Sequence, residues 1–179
     1  MSHDELVEAG RRWLLHEYRN YSRCDGRGAC SLVITEMVTG CRETPDVLGF
    51  FTGGSVLIEC KMSKSDFVAD SKKVFRRYVE MGMGMYRYFL APKGLLSEKD
   101  LPSDWGLLEY NGGKVFLKVH SNRFQNNHKA EISVLVSTMR RLKIEESGHV
   151  AVRAYTLKND KVPKATISIV EQEGVEDGE

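Results

Sequence analysis

Asp46, Glu59 and Lys61 are three charged residues that could act together in one reaction. Two short apolar runs that favour strands lie between them and flank Gly53-Gly54, a dipeptide typical of a two-residue hairpin loop. That loop predicts Leu48 opposite Glu59 and Asp46 opposite Lys61. Cross-strand partners share a face of the sheet, with directly opposed Cβ atoms about 5 Å apart and diagonal ones about 7–8 Å apart. The three charged side chains are therefore expected to form one patch, in which both carboxylates could share a cation.

Phosphodiester hydrolysis is a reaction that such a patch fits. It needs charge neutralisation on the phosphate and an activated water, and the carboxylates of Asp46 and Glu59 are hard oxygen ligands that suit Mg²⁺ or Mn²⁺. Lys61 could orient the attacking water or stabilise the developing negative charge. Its protonation state stays open, because burial and nearby carboxylates shift a lysine pKa in opposite directions. The same residues could instead be an edge-strand charge cluster or a surface ion pair.

Composition is that of an ordinary globular protein. The 179 residues suffice for one domain with a sizeable core, and 41% hydrophobic and 28% charged residues are typical values. A net charge of +1 indicates no partner by itself. No apolar run approaches the roughly 18 residues of a membrane span, and the acidic start lacks a signal-peptide core, so no membrane association is expected. Four cysteines do not resemble a disulfide framework, which favours a reducing, cytoplasmic location.

Hydrophobic periodicity and turn residues predict an alternation of helices and strands. Helices are expected over residues 4–19, from an N-cap at Ser65 to about residue 81, and over about 126–145. Strands are expected over residues 30–38, the two arms of the hairpin, 85–91, 105–110, 114–119, 150–157 and 165–170.

The hairpin is apolar on both faces, so helices should cover both. We therefore expect an α/β fold with a central mixed sheet flanked by helices. Residues 1–148 should form this core, and residues 149–170 should add a C-terminal strand pair that is packed on it or joined to it. Residues 171–179 form an acidic tail that is expected to be flexible.

The helix expected after the hairpin carries a basic side near the three charged residues. Such a side could contact the phosphates of nucleic acid, or it could be a solvated helix face. Asp66 and Asp70 are expected to be cap and helix-surface groups, although Asp70 could hold a lysine in place. The basic residues are Lys64, Lys72, Lys73, Arg76 and Arg77.

The order of elements and a short motif resemble the PD-(D/E)xK nuclease superfamily. The motif stands here as Pro45-Asp46, followed after twelve residues by Glu59-Cys60-Lys61. Residues 59–72, ECKMSKSDFVADSK, resemble the E-x-K-x-S-x-x-D-F-x-x-D-x-K stretch of the MmcB-like DNA-repair group and its phage relatives. Residues 88–92 and 105–109 are similar to the strands that follow there. The resemblance covers roughly residues 30–145 and does not reach the final strand pair.

The resemblance implies a restriction-endonuclease-like core and a DNA nuclease that uses Mg²⁺ or Mn²⁺, in DNA repair or phage DNA metabolism. The backbone carbonyl of Cys60 would be a third metal ligand beside Asp46 and Glu59, and Glu36 or Glu17 would supply a further acid. The alternative is a non-catalytic module that keeps the fold for binding nucleic acid or protein. The C-terminal strands could also mediate a homodimer.

Overall fold

The computed structural model describes residues 1–18, 29–38, 43–144 and 154–156. The helices are α1 (His3–Arg12), continued by a π-helical turn (Trp13–Glu17), α2 (Lys64–Asp70), α3 (Val74–Arg77) and α4 (His128–Arg141), with 3₁₀ turns at Val79–Met81 and Glu98–Asp100. The strands are β1 (Leu32–Thr35), β2 (Val47–Phe51), β3 (Gly54–Cys60), β4 (Tyr86–Pro92), β5 (Gly106–Asn111), β6 (Lys114–Val119), β7 (Leu142–Ile144) and β8 (Ala154–Thr156).

Strands β1 to β6 form one six-stranded sheet in sequence order. The β3–β4 and β4–β5 pairs are parallel, whereas β1–β2, β2–β3 and β5–β6 are antiparallel. The β3–β4 crossover contains α2 and α3, as a parallel connection requires. The prediction of an α/β fold with a mixed sheet and flanking helices is confirmed.

Helix α1 covers one face of the sheet. Ser2 caps its first turn in a capping box with Glu5, and Leu6, Trp13 and Leu14 are completely or almost completely buried. They belong to an apolar cluster that also includes Val47, Val56, Ile58, Cys60, Tyr88 and Leu90. Burial of one such side chain stabilises a fold by about 1.5–3 kcal/mol, so this face anchors the central strands.

Aromatic side chains lie on the opposite face. The Phe89 ring stacks on Trp105 with centroids 4.3 Å apart, and Phe67 from α2 meets Phe89 edge-on at 4.9 Å. Trp105 also contacts Phe124 edge-on at 6.3 Å. These rings fix α2 over the end of β3 where the charged residues lie.

The hairpin loop is Thr52-Gly53, and its prediction as Gly53-Gly54 was wrong. Gly53 adopts a positive φ of 93°, whereas Gly54 is the first residue of β3 and pairs with Phe51. A Cβ on Gly54 would lie 2.6 Å from the Phe51 ring, so this glycine serves close packing rather than the turn.

The corrected loop moves the register by two residues. Val47 pairs with Ile58, and continuing the ladder one step places Asp46 opposite Glu59 rather than Lys61. Because side chains alternate with a period of two, a two-residue shift keeps all three on the same face. The predicted grouping therefore survives the wrong register.

The long helix expected up to residue 81 is interrupted. Helix α2 begins after an N-cap at Ser63, whose hydroxyl accepts a hydrogen bond from the Asp66 N–H, so the predicted cap at Ser65 was wrong. The backbone then bends over residues 71–73 before α3 begins. The break changes the direction of the chain after α2. This change of direction determines where Arg76 lies.

The end of the described chain also differs from expectation. Helix α4 ends at Arg141, and β7 follows where the helix was expected to continue. Strand β7 pairs antiparallel with β8. The chain divides into two compact units, residues 1–134 and 135–179. The predicted strand at 165–170, the tail and the boundary at residue 148 lie outside the described residues.

In the part of the chain that the structure describes, no helix has the length and apolar character that crossing a membrane requires.

Candidate active site

Asp46 lies immediately before β2, where it is held from two sides. Its backbone carbonyl accepts a hydrogen bond from the Glu36 N–H at 3.1 Å, and its Oδ2 atom accepts one from the Cys60 N–H at 2.7 Å. The other carboxylate oxygen, Oδ1, lies 3.6 Å from His3 Nε2. Burial, and after it the negative charge of Glu59, raises the pKa of Asp46 to about 6. The sheet therefore brings Asp46 near Glu59, and the two carboxylates repel each other.

Glu59 and Lys61 lie at the end of β3, and their side chains are only 2% and 4% exposed. The Lys61 N–H donates to the Leu90 carbonyl at 2.9 Å, which extends the pairing with β4. Lys61 Nζ lies 3.3 Å from Glu59 Oε2 and 3.3 Å from Asp70 Oδ1. Burial acts to lower the pKa of Lys61, but Glu59 and Asp70 outweigh it and raise the pKa above its usual value. Lys61 is therefore an ammonium group at neutral pH.

Arg76 connects three buried carboxylates. Its Nη1 lies 2.6 Å from Glu43 Oε1, its Nη2 lies 2.9 Å from Glu59 Oε1, and its Nε lies 2.6 Å from Asp70 Oδ2. Glu43 also accepts a hydrogen bond from the Met83 N–H at 2.7 Å. We call Glu43, Glu59, Lys61, Asp70 and Arg76 the buried ion cluster. Its members are side chains from four separate segments of the chain, so tertiary structure creates it.

The pKa values of Asp70 and Glu43 are shifted in opposite directions inside the cluster. Burial would raise the pKa of Asp70, but Arg76 and Lys61 outweigh burial and lower it to about 2. Burial raises the pKa of Glu43 despite the charge of Arg76. Lys73 adds a further cation at the rim, with Nζ 2.6 Å from Asp70 Oδ1. Asp70 is thus the most strongly neutralised acid of the cluster.

One contact of the cluster is an ion pair without hydrogen-bond alignment. Glu59 Oε1 and Arg76 Nη2 are 2.9 Å apart, yet each of these buried atoms lacks an aligned hydrogen-bond partner. The distance establishes the electrostatic contact, although its geometry is not that of a hydrogen bond.

The predicted basic side of one helix is divided between surface and interior. Lys64 is 64% exposed and lies 3.5 Å from Asp100, and Lys72 and Arg77 are also exposed. Lys73 is 45% exposed. Arg76 is only 5% exposed, so its expected place on a nucleic-acid-binding surface was wrong.

Asp70 is also inside the protein, with a side chain 2% exposed, and the expectation of a helix-surface group was wrong. Its expected alternative role, holding a lysine, is present in its contact with Lys61. The physical reason is the break after α2, which lets Arg76 turn back towards Asp70 at the sheet.

The two candidates for a further acid occupy different places. Glu36 follows β1 with a positive φ of 47°, and its Oε1 lies 3.9 Å from His3 Nε2. It therefore flanks Asp46 across the His3 ring. Glu17 lies in the π-helical turn and lines a separate depression of about 150 Å³ together with Arg12 and His16.

Three members of this region were not identified as site residues from the sequence. His3 precedes any recognisable motif, and Glu43 lies in a part of the sequence without hydrophobic periodicity. Asp70 did carry a signal, since it stands in the stretch that resembles the MmcB-like group. Within the described residues, no three His, Cys, Asp or Glu side chains have the arrangement of a complete metal site.

Comparisons with known proteins support the fold and leave the activity open. No protein-family model matches the sequence, and no curated protein matches it. Among solved structures the chain is similar to the SPO1766 protein of unknown function from Silicibacter pomeroyi, with 20% identity and a TM-score of 0.54 over 75% of this chain and 82% of that one. At this identity the likeness concerns the fold alone.

Proposed function

We propose that this protein is a divalent-metal-dependent DNA nuclease that hydrolyses phosphodiester bonds, in DNA repair or phage DNA metabolism. Its active site would consist of Asp46, Glu59 and Lys61. The observation that carries the proposal is the hydrogen bond from the Cys60 N–H to Asp46 at 2.7 Å. It fixes one carboxylate against the end of β3, the inner strand of the mixed sheet that presents Glu59 and Lys61. The sequence motif and its spacing support the same assignment.

The donor set fits Mg²⁺ or Mn²⁺. Asp46 and Glu59 are neighbouring carboxylates, and the repulsion that contributes to the raised pKa of Asp46 would be relieved by a cation between them. Glu59 Oε1 contacts Arg76 at 2.9 Å, so a bound ion would share this carboxylate with the guanidinium. Mg²⁺ commonly uses one or two carboxylates and completes its shell with water and substrate phosphate. Asp46, Glu59 and the Cys60 carbonyl would hold the ion, with Glu36 as the nearest further acid.

The metal would neutralise phosphate charge and lower the pKa of a bound water. Asp46 is tied to β3, and Glu59 is tied to the buried ion cluster. The carboxylate oxygens of both residues are therefore held in place. Lys61 is an ammonium group, so it acts as a hydrogen-bond donor and positive charge towards the phosphate or the attacking water.

Exposed cations near α2 would bind the DNA backbone. Lys64, Lys72 and Arg77 are exposed to solvent, and they lie on the connection that follows Lys61 directly. Lysine and arginine contacts with phosphate do not depend on base sequence. The proposal therefore includes backbone-directed DNA binding, with Lys73 contributing from the rim of the cluster.

Cleavage of single- and double-stranded DNA with Mg²⁺ or Mn²⁺ tests the proposal. The wild-type protein should cleave with metal and stop when the metal is chelated. Asp46→Ala should abolish cleavage, whereas Asp4→Ala, which removes an exposed carboxylate of α1, should retain it. Equal cleavage by wild type and Asp46→Ala would overturn the site.

One observation favours a second function, a non-catalytic nucleic-acid-binding or protein-interaction module. Both Glu59 oxygens face cations of the protein, Lys61 at 3.3 Å and Arg76 at 2.9 Å. These contacts compete with a metal ion for the same carboxylate. Salt-dependent DNA binding without cleavage in either metal would support the binding module, and absence of DNA binding would support an interaction role.

A further inference from the structure

We infer that Asp70 and Arg76 are positioning residues, which hold Lys61 and Glu59 in the geometry that the cleavage step uses. This inference rests on the proposed nuclease function, but its structural half can be tested without activity. Neither residue belongs to the short Pro-Asp and Glu-x-Lys motif. Their roles follow from the contacts of the buried ion cluster.

Asp70 is a second carboxylate partner of the Lys61 ammonium, beside Glu59. Lys61 Nζ is 3.3 Å from each of the two carboxylates, so it is shared between them. Lysine is a flexible point charge that carries about 2 kcal/mol of rotamer entropy. With a single carboxylate partner, its ammonium group would move towards that partner. With Asp70 removed, the only carboxylate of the cluster still in contact with Lys61 would be Glu59. The ammonium would then neutralise a metal ligand instead of pointing to the phosphate.

Arg76 fixes Glu59 and Asp70 relative to each other. Its guanidinium uses separate nitrogens for Glu43, Glu59 and Asp70, at 2.6 to 2.9 Å. Lysine could not reproduce this arrangement, because an ammonium lacks the rigid planar fork of donors. The guanidinium also lies over the rings of Phe75 and Trp105, at 4.8 and 4.9 Å from their centroids. Packing and charge therefore hold Arg76 in a single orientation.

The decisive variant is Asp70→Asn, compared with Glu131→Gln. Glu131 is also a buried carboxylate, and it accepts hydrogen bonds from Ser55, Gly84 and Asn126 near the opposite end of β3. Both variants remove one buried negative charge, and both should be assayed below their measured melting temperatures. Asp70→Asn should lower kcat on DNA about 100-fold, the scale expected for misplacement of a reacting group, with KM unchanged. Glu131→Gln should keep the kcat of the wild type.

Arg76→Lys tests whether the planar guanidinium of Arg76 is required. It preserves charge, so a role that needs only positive charge predicts wild-type kcat, whereas positioning by the guanidinium predicts a decrease similar to that of Asp70→Asn. Equal kcat for wild type, Asp70→Asn and Arg76→Lys would overturn the inference. So would decreases in Asp70→Asn and Glu131→Gln that simply follow their melting temperatures.

Chemical labelling separates this inference from the nuclease proposal. Acetic anhydride modifies accessible lysines, and mass spectrometry reads the extent of modification at Lys61. Lys61 should be protected in the wild type and in Glu131→Gln and should become several-fold more reactive in Asp70→Asn, with exposed Lys72 as the internal standard. Unchanged protection in Asp70→Asn would overturn the positioning role even if the protein cleaves DNA. If the wild type does not cleave DNA, the nuclease proposal is wrong. The labelling result then still tests whether Asp70 holds Lys61.

Discussion

Lys61 and Asp70 meet inside the protein with Nζ 3.3 Å from Oδ1, although they stand nine positions apart in the chain. Lys61 ends the pairing of β3 with β4, and Asp70 ends α2. The contact ties the strand that carries the candidate site to the helix that follows it. It also determines the charge of Lys61, because an ammonium between two carboxylates stays protonated.

Asp70 should make stability depend on pH in acid. Its pKa is lowered from 3.8 to about 2 in the folded protein, and a lowered pKa contributes stability that is present above the unfolded value and disappears as pH falls through the folded one. The difference in unfolding free energy between wild type and Asp70→Asn should therefore be constant above about pH 5 and shrink from about pH 4 towards pH 2. Urea unfolding at each pH measures it. A difference that does not change with pH would contradict this prediction.

Removal of Arg76 should destabilise the fold strongly. Arg76→Met would leave Glu43, Glu59 and Asp70 buried with only part of the positive charge that neutralises them in the wild type. Breaking a buried ion pair by removing one partner costs about 3–5 kcal/mol. Arg77→Met removes an exposed guanidinium next to it and should change stability by at most about 0.5 kcal/mol. Urea unfolding of both variants compares the two costs, and equal destabilisation would show that the interior position of Arg76 is wrong.

DNA binding should depend on the exposed cations of the α2–α3 segment. Removing one phosphate-binding cation should reduce the slope of log affinity against log salt by about 1. Lys72→Ala and Arg77→Ala should therefore lower both affinity and slope, measured by fluorescence anisotropy in the presence of EDTA. Lys114→Ala, an exposed lysine at the start of β6, is the matched control. An unchanged slope in both test variants would place the DNA elsewhere.

Gly54→Ala should destabilise the hairpin. Its Cβ would approach the Phe51 ring to 2.6 Å, and such overpacking typically costs about 1–3 kcal/mol. Gly53→Asn should be milder, because asparagine tolerates the positive φ that the turn needs. Thermal unfolding of the two variants tests the register directly. If Gly53→Asn were the more damaging change, the loop would not be Thr52-Gly53.

The sequence predicted the mixed sheet and the grouping of Asp46, Glu59 and Lys61 because alternation along strands is a local property. Even the wrong loop preserved the grouping, since its error was two residues. The burial of Asp70 and Arg76 could not be predicted in the same way. No glycine or proline marks the break after α2, and long charged side chains on a helix normally face solvent. Arg76 turns inward through its contacts with Glu43 and Glu59, and Asp70 through its contact with Lys61, and these partners lie on other segments of the chain.

The nuclease proposal depends on a divalent cation held by Asp46 and Glu59, and anomalous diffraction from crystals grown with Mn²⁺ is its sharpest test. We expect an anomalous peak within about 2.0–2.3 Å of one oxygen from each carboxylate, the range of hard-cation bonds to oxygen. We also expect that peak to disappear in crystals of Asp46→Ala grown in the same way. Density without such a peak, with Glu59 still bound to Arg76 and Lys61, would contradict the proposal.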